Sequence, residues 1–136
     1  MKLQRIFFAT SFLALAAPTL ASSLTGNCNA PPAQVDIECL QPKLDSRMAQ
    51  AEKLFRQILR SVDAQSREAP EAKIDSASVI SELRIAEKQW KEFATHECAA
   101  ARELVGIGTD KDRVELTCLI QLYDQRIREL KAWRGL

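Results

Sequence analysis

Apolar residues recur with a helical period in three stretches of the chain. The first stretch holds Leu44, Met48, Ala51, Phe55, Ile58 and Val62. The second holds Val79, Leu83, Ala86, Trp90 and Phe93, with Ala100 and Leu104 extending it past Glu97, and the third holds Leu116, Ile120, Tyr123, Ile127 and Leu130. Spacings of three and four residues place each set on one face of a helix, and no alternating strand pattern of comparable length occurs. The pattern predicts an all-α fold with helices near 43–66, 76–105 and 110–133, packed as a bundle of three, at most four, helices.

Proline, glycine and capping residues predict where these helices begin and end. Pro31, Pro32 and Pro42 indicate an irregular N-terminal stretch, and Pro70 lies in a polar connection. Gly106 and Gly108 flank a turn between the second and third helices. Thr109 supplies a capping hydroxyl for the third helix, while Asp75 or Ser78 caps the second. Oppositely charged pairs at i,i+4, namely Glu52 with Arg56, Glu87 with Lys91 and Asp124 with Arg128, are interpreted as solvated helix faces.

The first 21 residues resemble a secretory signal peptide. Lys2 and Arg5 precede an apolar run over residues 6–17, and Thr19-Leu20-Ala21 places small side chains before the predicted cleavage site. The run is shorter than the roughly 20 apolar residues that a membrane-spanning helix needs. We therefore expect residues 1–21 to be removed and residues 22–136 to form one domain in the periplasm or outside the cell, without membrane insertion.

Charge and composition exclude several classes of function. Without residues 1–21, Lys+Arg falls from 19 to 17 against 18 Asp+Glu, a net charge of −1 that does not suit a nucleic-acid binder. A single His and four Gly leave no His-rich metal site and no glycine-rich phosphate loop. We expect no metal, no cofactor and no catalytic residues. The segment His96-Glu97-Cys98 does not suggest a nucleophile, because an exported cysteine is expected to be oxidised.

The four cysteines, Cys28, Cys39, Cys98 and Cys118, predict two disulfides with three conceivable pairings. Cys98 and Cys118 lie at similar distances from the turn near Ile107, so they face each other in an antiparallel helix pair. Cys28 and Cys39 then join the N-terminal stretch to the first helix. The other two pairings close longer loops and stay open.

Three groups of side chains are candidates for function or for the core. Trp90 and Phe93 lie on the apolar stripe of the second helix and are predicted to pack in the core. Arg126 is predicted to pair with an acid such as Glu97. The turn is the most site-like segment, with Gly106, Ile107, Gly108, Thr109 and Lys111 as candidate binding residues, and a plain connection between two helices is the alternative.

The order of these features resembles the LprI-type lysozyme-inhibitor domain family. The resemblance rests on Cys28 and Cys39, on the segment Leu83-Arg84-Ile85-Ala86-Glu87-Lys88-Gln89-Trp90 with Trp90 eight residues before Cys98, on Phe93, and on the closing helix from Cys118 to Leu130. It covers most of residues 27–133. It implies a small disulfide-linked helical domain that binds a lysozyme.

Two functions follow as hypotheses. The first, from the resemblance, is a secreted protein that inhibits a lysozyme-type glycoside hydrolase by occluding its cleft. The second is a periplasmic structural or adaptor module that binds an envelope protein through a helix face, because the apolar stripe with Leu119, Leu122 and Trp133 is wide. An enzyme is not expected.

Overall fold

The computed structural model describes residues 36–106 and 110–133. These residues form three α-helices, α1 (Ile37–Glu68), α2 (Ser76–Leu104) and α3 (Lys111–Trp133), with a short 3-10 turn at Pro70–Ala72. The described residues contain no strand, so the predicted all-α fold with three helices is confirmed. Among these helices, none carries an apolar run long enough to cross a membrane. The predicted signal peptide, residues 1–21, lies outside the described residues.

Helix α1 begins six residues earlier than predicted and contains Pro42. A proline inside a helix costs about 3 kcal/mol, because it removes one hydrogen bond and crowds the preceding turn. Leu40 and Leu44 lie on either side of Pro42 and are both buried in the core. Burying two leucines contributes about 3–6 kcal/mol, which offsets the cost of the proline. The prediction of an irregular stretch at Pro42 is therefore wrong.

The apolar core lies between α1 and α3. It comprises Leu40, Leu44, Ala51, Leu54, Phe55 and Ile58 from α1, and Ile120, Tyr123, Ile127 and Leu130 from α3. The third predicted stripe is therefore confirmed as an inner face. The first is confirmed in part, because Met48 is exposed and Leu54, which lay outside the stripe, is buried.

Helix α2 packs against this core mainly along α3, and its contact with α1 is the smallest of the three helix pairs. Its fully buried side chains are few: Ala94, Cys98 and, unexpectedly, Glu87. Asp75 caps its first turn, because the carboxylate accepts a hydrogen bond from the Ser78 backbone N–H at 3.1 Å. Helix α2 therefore adds only partly buried apolar side chains, among them Leu83 and Trp90, to the main core.

One of the two predicted disulfides is seen. Cys98 on α2 is bonded to Cys118 on α3, with 5.5 Å between their Cα atoms. Cys28 lies outside the described residues, so the Cys28–Cys39 pairing stays a prediction. Cys39 itself is not free.

Candidate functional site

The end of the bundle where α2 leads into α3 is tied together close to the predicted binding turn. The Cys98–Cys118 bond joins the two helices there, and the Cys98 side chain is completely buried. Arg102 on α2 adds two ionic contacts to α3, from Nη2 to Asp112 at 3.1 Å and from Nε to Glu115 at 3.5 Å. The base of the turn is therefore linked by one covalent bond and by ion pairs that span the two helices.

Lys111 and Glu103 form a further ion pair across the turn. The Lys111 ammonium donates a hydrogen bond to the Glu103 carboxylate at 3.0 Å. This hydrogen bond and the positive charge of Lys111 lower the pKa of Glu103. Because Glu103 is exposed, solvent screens the pair and its contribution to stability is small. Its effect is to draw the first residue of α3 towards the last turn of α2.

The predicted binding residues are only partly within the described chain. Gly106 has a φ of 77°, the left-handed conformation that commonly follows a helix C-terminus, and no atom lies within 4 Å of where a Cβ would stand. Lys111 is half-buried through its contact with Glu103. Ile107, Gly108 and Thr109 lie outside the described residues. Gly106 follows the end of α2 and Lys111 begins α3, while their role in binding stays a prediction.

Two apolar residues beside the turn were missed as candidates. Leu104 is 87% exposed and Val105 is 46% exposed, so both present apolar side chains next to Gly106. The sequence pattern had placed Leu104 on the inner stripe of α2. Exposed apolar residues in ones and twos are ordinary on protein surfaces, so their exposure alone does not mark a contact surface.

A second cluster of charged side chains lies between α2 and α3, nearer the other end of the bundle. Glu87 on α2 is only 3% exposed, and one of its carboxylate oxygens accepts two hydrogen bonds from Arg126, at 2.8 and 3.2 Å. The remaining Arg126 amino group donates to Glu129 at 3.1 Å. Lys91 lies 3.8 Å from the second Glu87 oxygen and donates to Glu52 on α1 at 3.1 Å. We call these five residues the ion-pair cluster; it joins all three helices.

Trp90 and Tyr123 pack against this cluster. Their rings meet edge to face with centroids 5.0 Å apart, and the Arg126 guanidinium lies 5.3 Å from the centre of the Trp90 ring. Burial raises the pKa of the Tyr123 hydroxyl, and the positive charge of Lys91 partly opposes that shift. Trp90 is half-buried, which agrees with its predicted packing role.

Two sequence predictions about this region are wrong. Phe93 is 53% exposed and does not belong to the core, and Glu87, which was assigned to a solvated face, is buried. Both errors have one cause: the inner face of α2 is rotated away from the predicted stripe. Arg126 forms an ion pair with an acid, as predicted, but the acid is Glu87; Glu97, the example suggested, is exposed.

Two of the three predicted i,i+4 ion pairs are present in the structure. Glu52 pairs with Arg56 at 3.6 Å, and Glu87 with Lys91 at 3.8 Å. Asp124 pairs instead with Arg47 on α1 at 2.7 Å. The Arg47–Asp124 pair joins α1 to α3, whereas the two i,i+4 pairs lie within single helices. The described part of the chain holds no group of three or more side chains suited to a metal.

Comparison with known proteins gives one match. The family described as lysozyme inhibitor LprI matches residues 28–130 of the chain, a span that includes all four cysteines, the ion-pair cluster and the turn. Neither curated proteins nor solved structures gave a match. Because the family match covers most of the chain, the resemblance seen in the sequence is confirmed, and the chain belongs to the lysozyme inhibitor LprI family.

Proposed function

We propose that this protein is a periplasmic or secreted inhibitor of lysozyme-type glycoside hydrolases. The single observation that carries the proposal is the family match over residues 28–130. The fold suits the role, because three helices with a covalent link form a stable body that can present a surface to a partner protein.

The proposed mechanism is occlusion of the hydrolase cleft. These enzymes place a pair of carboxyl groups on either side of the bond to be cleaved, so a protein segment in the cleft excludes both the sugar and the attacking water. The candidate segment is the α2–α3 turn, with Gly106, Ile107, Gly108, Thr109 and Lys111 as contact residues. Its base is already ordered by the Cys98–Cys118 bond, which lowers the entropy lost on binding.

Short-range contacts are expected to dominate this interaction. Residues 22–136 carry a net charge of −1 by formal count, which gives little long-range attraction towards a cationic enzyme. Leu104 and Val105 supply exposed apolar area beside Gly106 and Lys111. Inhibition should therefore change only weakly with ionic strength.

The test is a cell-wall lysis assay with oxidised protein lacking residues 1–21, run against several lysozyme classes. Inhibition should be competitive, raising KM without lowering kcat. Ile107→Asp and Lys111→Glu should weaken it, while Ile85→Asp and Lys88→Glu, the same changes at exposed positions elsewhere on α2, should not. Absence of inhibition at large molar excess against every class would overturn the proposal. Equal effects of the two pairs would reject the turn as the contact.

A second candidate function is supported by the outer face of α2. Phe93 and Leu104 are exposed there, and Trp133 at the end of α3 is 54% exposed. Such a surface suits an adaptor that binds an envelope protein through a helix face. Leu119 and Leu122, which first suggested this function, are half-buried and contribute less. Two results together would count against this function: a strictly monomeric protein, and binding to envelope proteins that Phe93→Asp does not change.

A further inference from the structure

A cavity of about 280 Å³ lies where the three helices meet, on the far side of the ion-pair cluster from the turn. Ile58, Leu83 and Leu130, one residue from each helix, contribute apolar walls. The chain has two tryptophans, Trp90 and Trp133, and both line this cavity. Aliphatic and aromatic walls with a few polar groups at the edge are typical of sites for small ligands.

The arrangement of α2 explains why the described residues leave this space unfilled. An inner position of α2 is occupied by Glu87, whose carboxylate turns to Arg126 instead of filling the space between helices. Ala86, which directly precedes Glu87, lines the cavity, and its methyl group is too short to fill it.

The charges around the cavity select the kind of ligand that fits. Arg126 and Glu129 line it, and Arg126 donates to both Glu87 and Glu129. The charges of these two lining residues balance, but Arg126 is also paired with the buried Glu87, and its side chain is only 17% exposed. The Glu129 side chain is 41% exposed, so its charge faces an entering molecule. A ligand with an anionic end is repelled, whereas a neutral or cationic end is accepted.

We propose that this cavity binds a short apolar molecule with a neutral or cationic polar end. At about 30 Å³ per heavy atom, the volume corresponds to roughly nine heavy atoms, the size of an eight-carbon chain with one polar atom. Ala86 and the turn residue Leu104 are 18 positions apart, or about 27 Å along α2. The site is therefore separate from the turn, and it does not depend on lysozyme inhibition.

Three probes with the same chain and different charges test the proposal: octanol below its solubility limit, and octylammonium and octanoate below their micelle concentrations. Because both tryptophans line the cavity, a saturable change in tryptophan fluorescence reports binding there. Octanol and octylammonium should bind, and octanoate should bind about fivefold more weakly than octanol. Glu129→Gln should abolish the difference between octanol and octanoate. A difference that persists in this variant would overturn the assigned role of Glu129.

A matched pair of alanine substitutions shows whether the cavity is the site. Ala86→Met places a longer side chain in the cavity and should weaken binding of octanol at least about tenfold. Ala100→Met makes the same change at another exposed position of α2 and should bind like the parent protein. Methionine is a good helix former, so both variants should fold. No saturable binding of octanol or octylammonium, or unchanged binding in Ala86→Met, would overturn the proposal. Neither result would bear on inhibition of a lysozyme.

Discussion

Removing the Arg126 guanidinium tests whether the buried ion pair holds α2 in place. Arg126→Met keeps the length and apolar stem of the side chain but removes both hydrogen bonds to Glu87, at 2.8 and 3.2 Å. The Glu87 side chain is 4% exposed and that of Arg126 17%, so water cannot easily replace the lost partner. The variant leaves a buried carboxylate without its main counter-charge.

Breaking a buried ion pair from one side typically costs about 3–5 kcal/mol of unfolding free energy. Lys91 remains 3.8 Å from the other Glu87 oxygen and compensates in part, so we expect the lower end, about 3 kcal/mol. The lost contact of the guanidinium with the Trp90 ring is offset by a methionine sulfur near the same ring. In the double variant Glu87→Leu/Arg126→Met no buried charge is left without a partner, so most of the lost unfolding free energy should be recovered.

Equilibrium unfolding in urea, under oxidising conditions, measures these differences. With an m value of about 2 kcal/mol/M, Arg126→Met should lower the midpoint by about 1.5 M. Arg67→Met is the control, because Arg67 pairs with Asp63 at 2.7 Å but both side chains are exposed; it should cost less than about 1 kcal/mol. Equal small losses in both arginine variants would falsify the reasoning. The reasoning would also be contradicted if the double variant lost as much unfolding free energy as the two single variants together.

Three further predictions follow from the structure. Replacing Cys98 and Cys118 together by Ala should lower the unfolding free energy by about 3 kcal/mol, because their bond closes a loop with a sequence separation of 20. Thermal unfolding measures this loss. An unchanged Tm would show that the bond does not stabilise the fold. Phe93→Asp should change the unfolding free energy by less than about 0.5 kcal/mol, whereas Ala94→Asp, at a position 1% exposed, should unfold much of the protein. Circular dichroism distinguishes the two variants. If Phe93→Asp unfolded the protein and Ala94→Asp did not, α2 would be oriented as the sequence pattern had predicted. Tyr123 has a raised pKa, so its stabilising effect is complete below pH 10, the ordinary tyrosine pKa, and is lost as the pH rises above that value. Because the chain has one tyrosine, tyrosinate absorbance follows Tyr123 alone; a midpoint at or below the ordinary value, or an equally steep loss of stability in Tyr123→Phe, would refute this.

The helices were predictable because their apolar spacing is regular over many turns. The predicted bounds of α2 and α3 each differ from the structure at one end, by one residue, and the inner face of α3 is the predicted one. The start of α1 was missed because a local rule about Pro42 was given more weight than the tertiary burial of Leu40. A breaker residue acts on one hydrogen bond, while a buried leucine gains from every neighbour it contacts.

The orientation of α2 could not be read from its hydrophobic pattern. Phe93 and Ala100 look like core residues by type, yet both are exposed, and Glu87 looks like a surface residue and is buried. A carboxylate can occupy an inner position only if a cation from another helix meets it. Arg126 lies 39 residues away in sequence, and nothing in the local pattern connects the two residues before the helices are packed.

The cysteine that holds α2 against α3 determines which face of α2 points towards the bundle. Cys98 must face Cys118, so positions near one, two and three turns before it, which include Ala94 and Glu87, must face the bundle as well. This places Ala86 at the edge of the cavity and sends Phe93 outward to the solvent. One covalent bond therefore sets the rotation of the helix that carries both the turn and the cavity. If that is right, reduction of Cys98–Cys118 should impair lysozyme inhibition and octanol binding together, although the two sites share no residue.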